Sequence, residues 1–211
     1  MKIQRFTFNE FEENTYVLYD STGQCVIIDP GCNTLSEQSE LTLFIKNNNL
    51  QPQLLINTHC HIDHIFGNQF VAETYKLSLH AHEKEVEVLN SGSSVALFYQ
   101  MEYDTSPKIE HFLYHDDEIE FGDTKLKVIF TPGHSPGSIS LFHKDSETLI
   151  SGDVLFESSI GRTDLPGGDY DILIHSIQSQ LFTLPESTVV YPGHGGHTTI
   201  GKEKRTNPFF N

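Results

Sequence analysis

The stretch Asn57-Thr58-His59-Cys60-His61-Ile62-Asp63-His64 constrains this chain more than any other. It places three histidines and an aspartate within six positions, directly after the apolar run Leu54-Leu55-Ile56. Such a run reads as a buried strand, so the cluster sits at a strand's end. In extended backbone, side chains at i and i+2 point to the same side, and His59 and His61 can reach one ion. Asp63 and His64 fall where the chain turns toward a helix, and they cannot easily join the same tetrahedral shell. Two ions resolve the crowding, with His59 and His61 on one and Asp63 and His64 on the other.

The missing ligands stand at the ends of later β-like runs. Thr131-Pro132-Gly133-His134 follows Lys125 to Phe130, Gly152-Asp153 follows Thr148 to Ser151, and Tyr191-Pro192-Gly193-His194 follows Val189 to Tyr191. Glycine beside each lets backbone approach closely. His134 completes the first shell, His194 the second, and Asp153 has two oxygens with which to bridge. Imidazole and carboxylate ligands with an open position describe a catalytic site, and no paired thiolates suggest a closed structural one. Two Zn²⁺ are expected, although the same donors also accept Fe or Mn. Alternation aims Cys60 away from the ions, which gives it a packing role. His80, His82, His111, His115, His143, His175 and His197 read as surface or packing residues.

Three short β-like runs open the chain, from Ile3 to Phe8, Tyr16 to Tyr19 and Cys25 to Ile28; Asp29-Pro30-Gly31 then turns it. Residues 34 to 49 read as a helix with Thr34 as N-cap. Another helix is expected from within the histidine cluster toward Tyr75. Ser91 to Pro107 mixes Gly-Ser-Ser with Phe98, Tyr99, Met101 and Tyr103, which suggests a long loop or lid with small helical pieces, its aromatics forming either a substrate wall or core packing under the loop. Ile119 to Phe121 and Lys125 to Phe130 flank Gly122-Asp123 as a hairpin. Strands at Ile139 to Phe142 and Thr148 to Ser151, a helix from Tyr170 to Phe182 and a last strand from Val189 follow. Strands leading into helices in both halves, with no linker or repeat, predict one α/β domain over residues 1–211, built as two sheets with helices outside.

Charge narrows the partners. Thirteen Lys and Arg against twenty-nine Asp and Glu give a formal charge of −16, opposite to a nucleic-acid or anionic-membrane surface. No run approaches ~20 apolar residues, so no membrane span is expected. The N-terminus lacks a signal-peptide pattern, and Cys25, Cys32 and Cys60 do not form a disulfide framework; the cytoplasm is the expected compartment. The partner is a small molecule.

Two ions about 3.5–4 Å apart can share a water and lower its pKa from ~15.7 toward ~7, which supplies a hydroxide nucleophile. One ion also polarises a carbonyl oxygen. Asp63 is placed to orient that hydroxide or accept its proton. No dedicated acid appears to protonate a poor leaving group. A thioester, whose thiol has a pKa of ~8.5, is therefore the easier substrate.

The runs T-H-C-H-I-D-H, P-G-H-S-P-G-S at 132–138, S-G-D at 151–153 and P-G-H-G at 192–195 resemble the metallo-β-lactamase superfamily in order and across nearly the whole chain. Ile27-Ile28-Asp29-Pro30-Gly31 resembles its early strand and turn. The resemblance implies a four-layer αββα sandwich with metals at one edge of the paired sheets. It also implies a dinuclear ligand set of His59, His61, His134, Asp63, His64, His194 and bridging Asp153. Gly161-Arg162-Thr163-Asp164-Leu165-Pro166-Gly167-Gly168 and Thr206-Asn207-Pro208-Phe209 are similar to the short bacterial form of the glyoxalase II-type hydrolases. That implies hydrolysis of anionic thioesters such as S-D-lactoylglutathione. Full-length glyoxalase II carries a C-terminal helical domain with much of its glutathione pocket, and the sequence suggests a domain without it. Lys202, Lys204 and Arg205 read as a solvated basic helix end, and Arg162 with Asp164 as a structural ion pair. The persulfide dioxygenases share the histidine run and Gly-Arg-Thr-Asp. Resemblance to them would imply one iron on His59, His134 and Asp153. A metal-stabilised interaction module without turnover is a third reading, and β-lactam hydrolysis a weaker enzymatic one.

Overall fold

The computed structural model describes residues 1–210. The chain opens as an antiparallel meander, β1 (Lys2–Phe8), β2 (Glu13–Tyr19) and β3 (Gln24–Ile28). The sheet then grows by parallel pairing through β4 (Gln51–Ile56), β5 (Leu79–Ala81) and β6 (Ile109–Phe112). Parallel neighbours need crossovers, and helices supply them. These are α1 (Leu35–Asn47), α2 (Ile62–Ile65), α3 (Asn68–Tyr75) and α4 (Val86–Tyr99). A second sheet contains β7 (Glu118–Phe121), β8 (Thr124–Phe130), β9 (Ile139–His143), β10 (Thr148–Gly152), β13 (Val189–Pro192) and β14 (Thr198–Thr199), ordered β14-β13-β10-β9-β8-β7. A hairpin of β11 (Leu155–Phe156) and β12 (Ser159–Ile160) stands apart, with α5 (Tyr170–Ser179) and α6 (Ile200–Thr206) against the second sheet.

Side-chain alternation explains the layering. Leu18, Val26 and Ile28 of the first sheet meet Leu126, Val128, Leu141 and Ile150 of the second in one core. Their neighbours Val17, Cys25 and Ile27 face the opposite way and pack with Leu41 and Ile45 of α1 and Val71 of α3. Ile129, Phe142, Leu149 and Val190 likewise face out toward Leu173 and Ile177 of α5 and Ile200 of α6. Each sheet is buried on both faces, which is why its central strands are apolar runs and not alternating ones. The result is the expected αββα sandwich.

Several local features follow directly from sequence. Thr34 caps α1 with a full capping box, its hydroxyl accepting from Glu37 N while Glu37 accepts from Thr34 N. Asp29 takes a positive φ of 48° as the chain leaves β3. The Gly122-Asp123 hairpin joins β7 and β8 as predicted.

Other expectations need correction. Residues 91–99 are not a lid loop; they complete α4, and only the following segment lacks regular structure. The Ser-Gly-Ser-Ser run is helical because Leu89 and Ala96 bury that helix against the first sheet's core. The helix expected toward Tyr75 is two helices, α2 and α3, broken where Gly67 packs under Pro30 and Cys32 and leaves no space for a Cβ. The helix from Tyr170 ends at Ser179, with a single 3₁₀ turn beyond it at Leu181–Thr183.

Candidate metal centre

The strand ends bring the predicted donors together at one edge of the sandwich. His59 and His61 leave β4, and His134 follows β8. Their donor atoms lie within 4.8 Å of one another. His134 Nε2 is 3.2 Å from His59 Nε2 and 2.9 Å from His61 Nδ1. The backbone fixes the first of these rings. His134 Nδ1–H donates to the Arg162 carbonyl at 2.8 Å, which leaves Nε2 as a bare lone pair facing its neighbours.

A second group forms beside the first. Asp63, His64 and His194 also present donors within 4.8 Å of one another. His194 Nε2 is 3.1 Å from Asp63 Oδ2, and its Nδ1–H donates to the Phe11 carbonyl at 3.0 Å. Asp153 stands between the groups. Its Oδ2 lies 3.6 Å from His134 Nε2 and 3.5 Å from His194 Nε2, while Oδ1 lies 3.5 Å from His64 Nε2. Gly193 makes this possible, because a Cβ there would strike the Asp153 carboxylate and the His64 ring.

The two groups differ electrostatically. Burial, reinforced by the other histidines, drives His59 well below the usual imidazole range, and His61 falls to about 3. Burial also lowers His134, although Asp153 pulls the other way. For His64, burial again favours the neutral ring, but Asp63 and Asp153 outweigh it and raise its pKa well above the usual value. His194 is raised too, its hydrogen bond to Asp63 overcoming burial. Burial alone would lift Asp63 and Asp153; His64 holds both below the ordinary carboxylate range.

These residues fit a metal pair. Three buried imidazoles turn nitrogens toward one another, an arrangement that a cation between them would satisfy. His64 Nε2 and Asp153 Oδ1, which face each other across 3.5 Å, are buried without a hydrogen-bond partner. Buried polar atoms of that kind call for a further partner, such as an ion.

Residues behind the donors escaped the sequence reading. Glu85, fully buried just before α4, accepts from Cys60 N at 2.7 Å, from Ser135 Oγ at 2.6 Å and from Gly137 N at 2.6 Å. One carboxylate thus clamps the loop of His59 and His61 to the loop of His134. Burial pushes its pKa up even though these donors pull it down. Nothing in Ala81-His82-Glu83-Lys84-Glu85 distinguishes this glutamate from its exposed neighbours. Asp29 accepts from Thr58 N at 2.7 Å and Thr58 Oγ1 at 2.6 Å, and stands 3.3 Å from His64 Nδ1. Its signal was Asp29-Pro30-Gly31, which reads as a turn alone. Buried Glu13 lies 3.8 Å from the same nitrogen.

The remaining candidates lie elsewhere. Cys60 is buried and outside both donor groups, with its thiol pushed up by burial. His80 stacks on His111 at 4.5 Å in the first sheet, away from the centre. Arg162 and Asp164 form a bidentate pair at 2.7 and 2.8 Å, exposed at the rim and not beneath the site. Lys202 pairs with Glu157, while Lys204 and Arg205 face Glu186. Among the described residues, no helix is long and apolar enough to cross a membrane.

Residues 9–194 match the metallo-beta-lactamase superfamily. The chain belongs to that superfamily. Among its relatives within this superfamily, the probable metallo-hydrolase YqgX of Bacillus subtilis (strain 168) is 39% identical, covering 100% of this chain and 98% of YqgX. The hydroxyacylglutathione hydrolase GloC of Haemophilus influenzae is 31% identical, covering 100% and 99%. Two solved metallo-β-lactamase-fold structures superpose closely. The BLEG-1 B3 metallo-beta-lactamase does so at a TM-score of 0.91 with 36% identity, over 100% of both chains. TTHA1623 in a di-iron-bound form does so at 0.88 with 32% identity, over 98% of this chain and 99% of that one.

Proposed function

We propose that this protein is a dinuclear metal-dependent hydrolase whose substrates are thioesters, S-D-lactoylglutathione being the first to assay. The observation that carries the reading is the Asp153 carboxylate, within 3.6 Å of donors from both groups. His59, His61 and His134 would hold one ion, Asp63, His64 and His194 the other, with Asp153 shared. When bound, such a pair supplies Lewis acidity and water activation near neutral pH.

The chain's own residues account for the rest. The Arg162 and Phe11 carbonyls fix the orientation of the His134 and His194 rings, each accepting from Nδ1–H and leaving Nε2 to face the centre. Asp63, held ionised by His64, stays an acceptor at neutral pH and orients a proton-bearing nucleophile. Once His64 and His194 serve as neutral ligands, the donor groups would retain no dedicated acid to protonate an amine, which favours a thiolate leaving group over an amide nitrogen. GloC supports the thioester class, and the TTHA1623 form supports a dinuclear centre that iron as well as zinc could fill.

A second reading has its own observation. His59 and His134, with Nε2 atoms 3.2 Å apart, and Asp153 make a two-histidine, one-carboxylate set suited to a single iron and persulfide oxidation. Metal analysis paired with turnover assays separates the readings. About two ions per chain, with thioester hydrolysis that a chelator abolishes and added metal restores, is the expected result. One iron per chain with persulfide-dependent oxygen uptake would favour the second reading. Hydrolysis of a β-lactam but no thioester would move the substrate toward the activity named for BLEG-1. Bound metal without any turnover would favour an interaction module.

A further inference from the structure

A cleft of about 810 Å³ opens above the donors, and its walls are as informative as its floor. One wall is a single face of α4, from which Glu87, Val88, Val95 and Tyr99 border the cleft. Between them lie Ser91 and Gly92. The Ser91 hydroxyl is spent on the Val88 carbonyl at 2.7 Å, and Gly92 offers no side chain. The middle of this wall is therefore poor in hydrogen-bond donors. Phe156, Ile160 and Leu165 face the cleft from the β11–β12 hairpin and the loop beyond it. At the outer end the Phe11 ring meets Tyr99 edge-on at 5.5 Å, and Tyr99 meets Phe98 at 5.3 Å. Phe98 is 79% exposed, so an aromatic file leads from the cleft to the surface.

Charge points the same way. Arg162 is the one Lys or Arg among the described residues that border the cleft, and its Nε and Nη2 are already paired with the Asp164 carboxylate. Glu87 adds negative charge to the wall, within a protein of formal charge −16. Lys202, Lys204 and Arg205 are paired with glutamates outside it. Glutathione carries two carboxylates and one ammonium, and its carboxylates would find no unpaired cation along these walls. Bound metal ions would place positive charge at the floor, where it serves the acyl oxygen of any thioester alike and does not discriminate between thiols.

We infer that this cleft selects uncharged thioesters carrying an aryl or medium-length alkyl group over thioesters of an anionic, glutathione-like thiol. The inference rests on the thioesterase reading of the metal centre and revises the anionic substrate expected from sequence. Apolar walls reward apolar surface removed from water, while an unpaired carboxylate against them loses solvation without compensation.

Two non-hydrolysable thioethers test it, S-hexylglutathione and the S-hexyl derivative of N-acetylcysteamine, titrated calorimetrically into the metal-loaded full chain. They share the hexyl group and differ in the thiol half. The neutral probe is expected to bind at least tenfold more tightly at low salt. That ratio should shrink as salt screens the repulsion, and narrow at least threefold in Glu87→Lys. Equal or tighter binding of S-hexylglutathione, or binding of neither probe, overturns the inference. Turnover of acyl thioesters of the same two thiols is measured separately. Correctly ranked probes without any thioester hydrolysis would leave the cleft inference standing and remove the thioesterase reading. Hydrolysis that favours the glutathione thioester would do the reverse.

Discussion

The two donor groups are neighbours, yet they solve the problem of burying polar side chains in opposite ways. Asp63 lies against both His64 and His194, so each imidazole of that group faces a carboxylate. His59, His61 and His134 have no acid among them, and burial keeps all three rings neutral. Three buried imidazoles converging without a carboxylate among them form an arrangement that a cation would satisfy. The histidine trio is thus the more diagnostic half of the centre, whereas the mixed group would be tolerable as an ordinary ion-pair cluster. Their supports differ as well. Glu85 clamps the loops of the trio, while Asp29 and Glu13 lie behind His64.

The largest effect should come from the residue the groups share. Asp153→Ala is expected to empty both positions, taking metal content well below one ion per chain and turnover down by ~100-fold or more. Elemental analysis after gel filtration checks this, and normal occupancy of both positions would break the account of Asp153 as a bridge. Next come the single-group variants. His134→Ala should lose the ion of the trio and His194→Ala that of the mixed group, each leaving about one ion per chain. Differential metal titration reads the two apart, and identical losses in both variants would mean that the groups are not separate sites.

Glu85→Gln sharpens the contrast between supports. The amide can accept fewer hydrogen bonds than the carboxylate, and loss of a charge-assisted bond costs about 1.5–3 kcal/mol. A lower melting temperature is expected, with roughly tenfold weaker metal affinity at the trio and little change at the mixed group. Equal weakening of both would show that the clamp is general. The smallest effect is His80→Ala, whose turnover should stay close to wild type because His80 lies against His111 in the first sheet. A large loss would show a role for that sheet position in the reaction.

The convergence of these donors was legible in the sequence because strand ends carry the donor side chains beside them. Each of His59, His134, Asp153 and His194 follows an apolar run that could only be a strand, and glycine marks the close approach at Gly193. The layered fold was legible for the same reason, since runs such as Cys25-Val26-Ile27-Ile28 must be buried on both faces. What stayed hidden depends on distant contacts. α4 breaks its local signals, because Ser91 to Ser94 look like a loop until Leu89 and Ala96 find the core of the first sheet. Glu85 is indistinguishable from Glu83 until it meets Ser135, fifty residues away. The three-residue β5 and four-residue β6 are too short to show a pattern of their own and are strands only because β5 pairs with β4 and β6 pairs with β5.

Anomalous diffraction from crystals of the metal-loaded protein tests the dinuclear centre most directly. Two peaks about 3.5–4 Å apart, one ringed by His59, His61 and His134, the other by Asp63, His64 and His194, with the Asp153 carboxylate reaching both, is the predicted result. A single peak on His59, His134 and Asp153, with Asp63 and His194 paired only to each other under saturating metal, would contradict it.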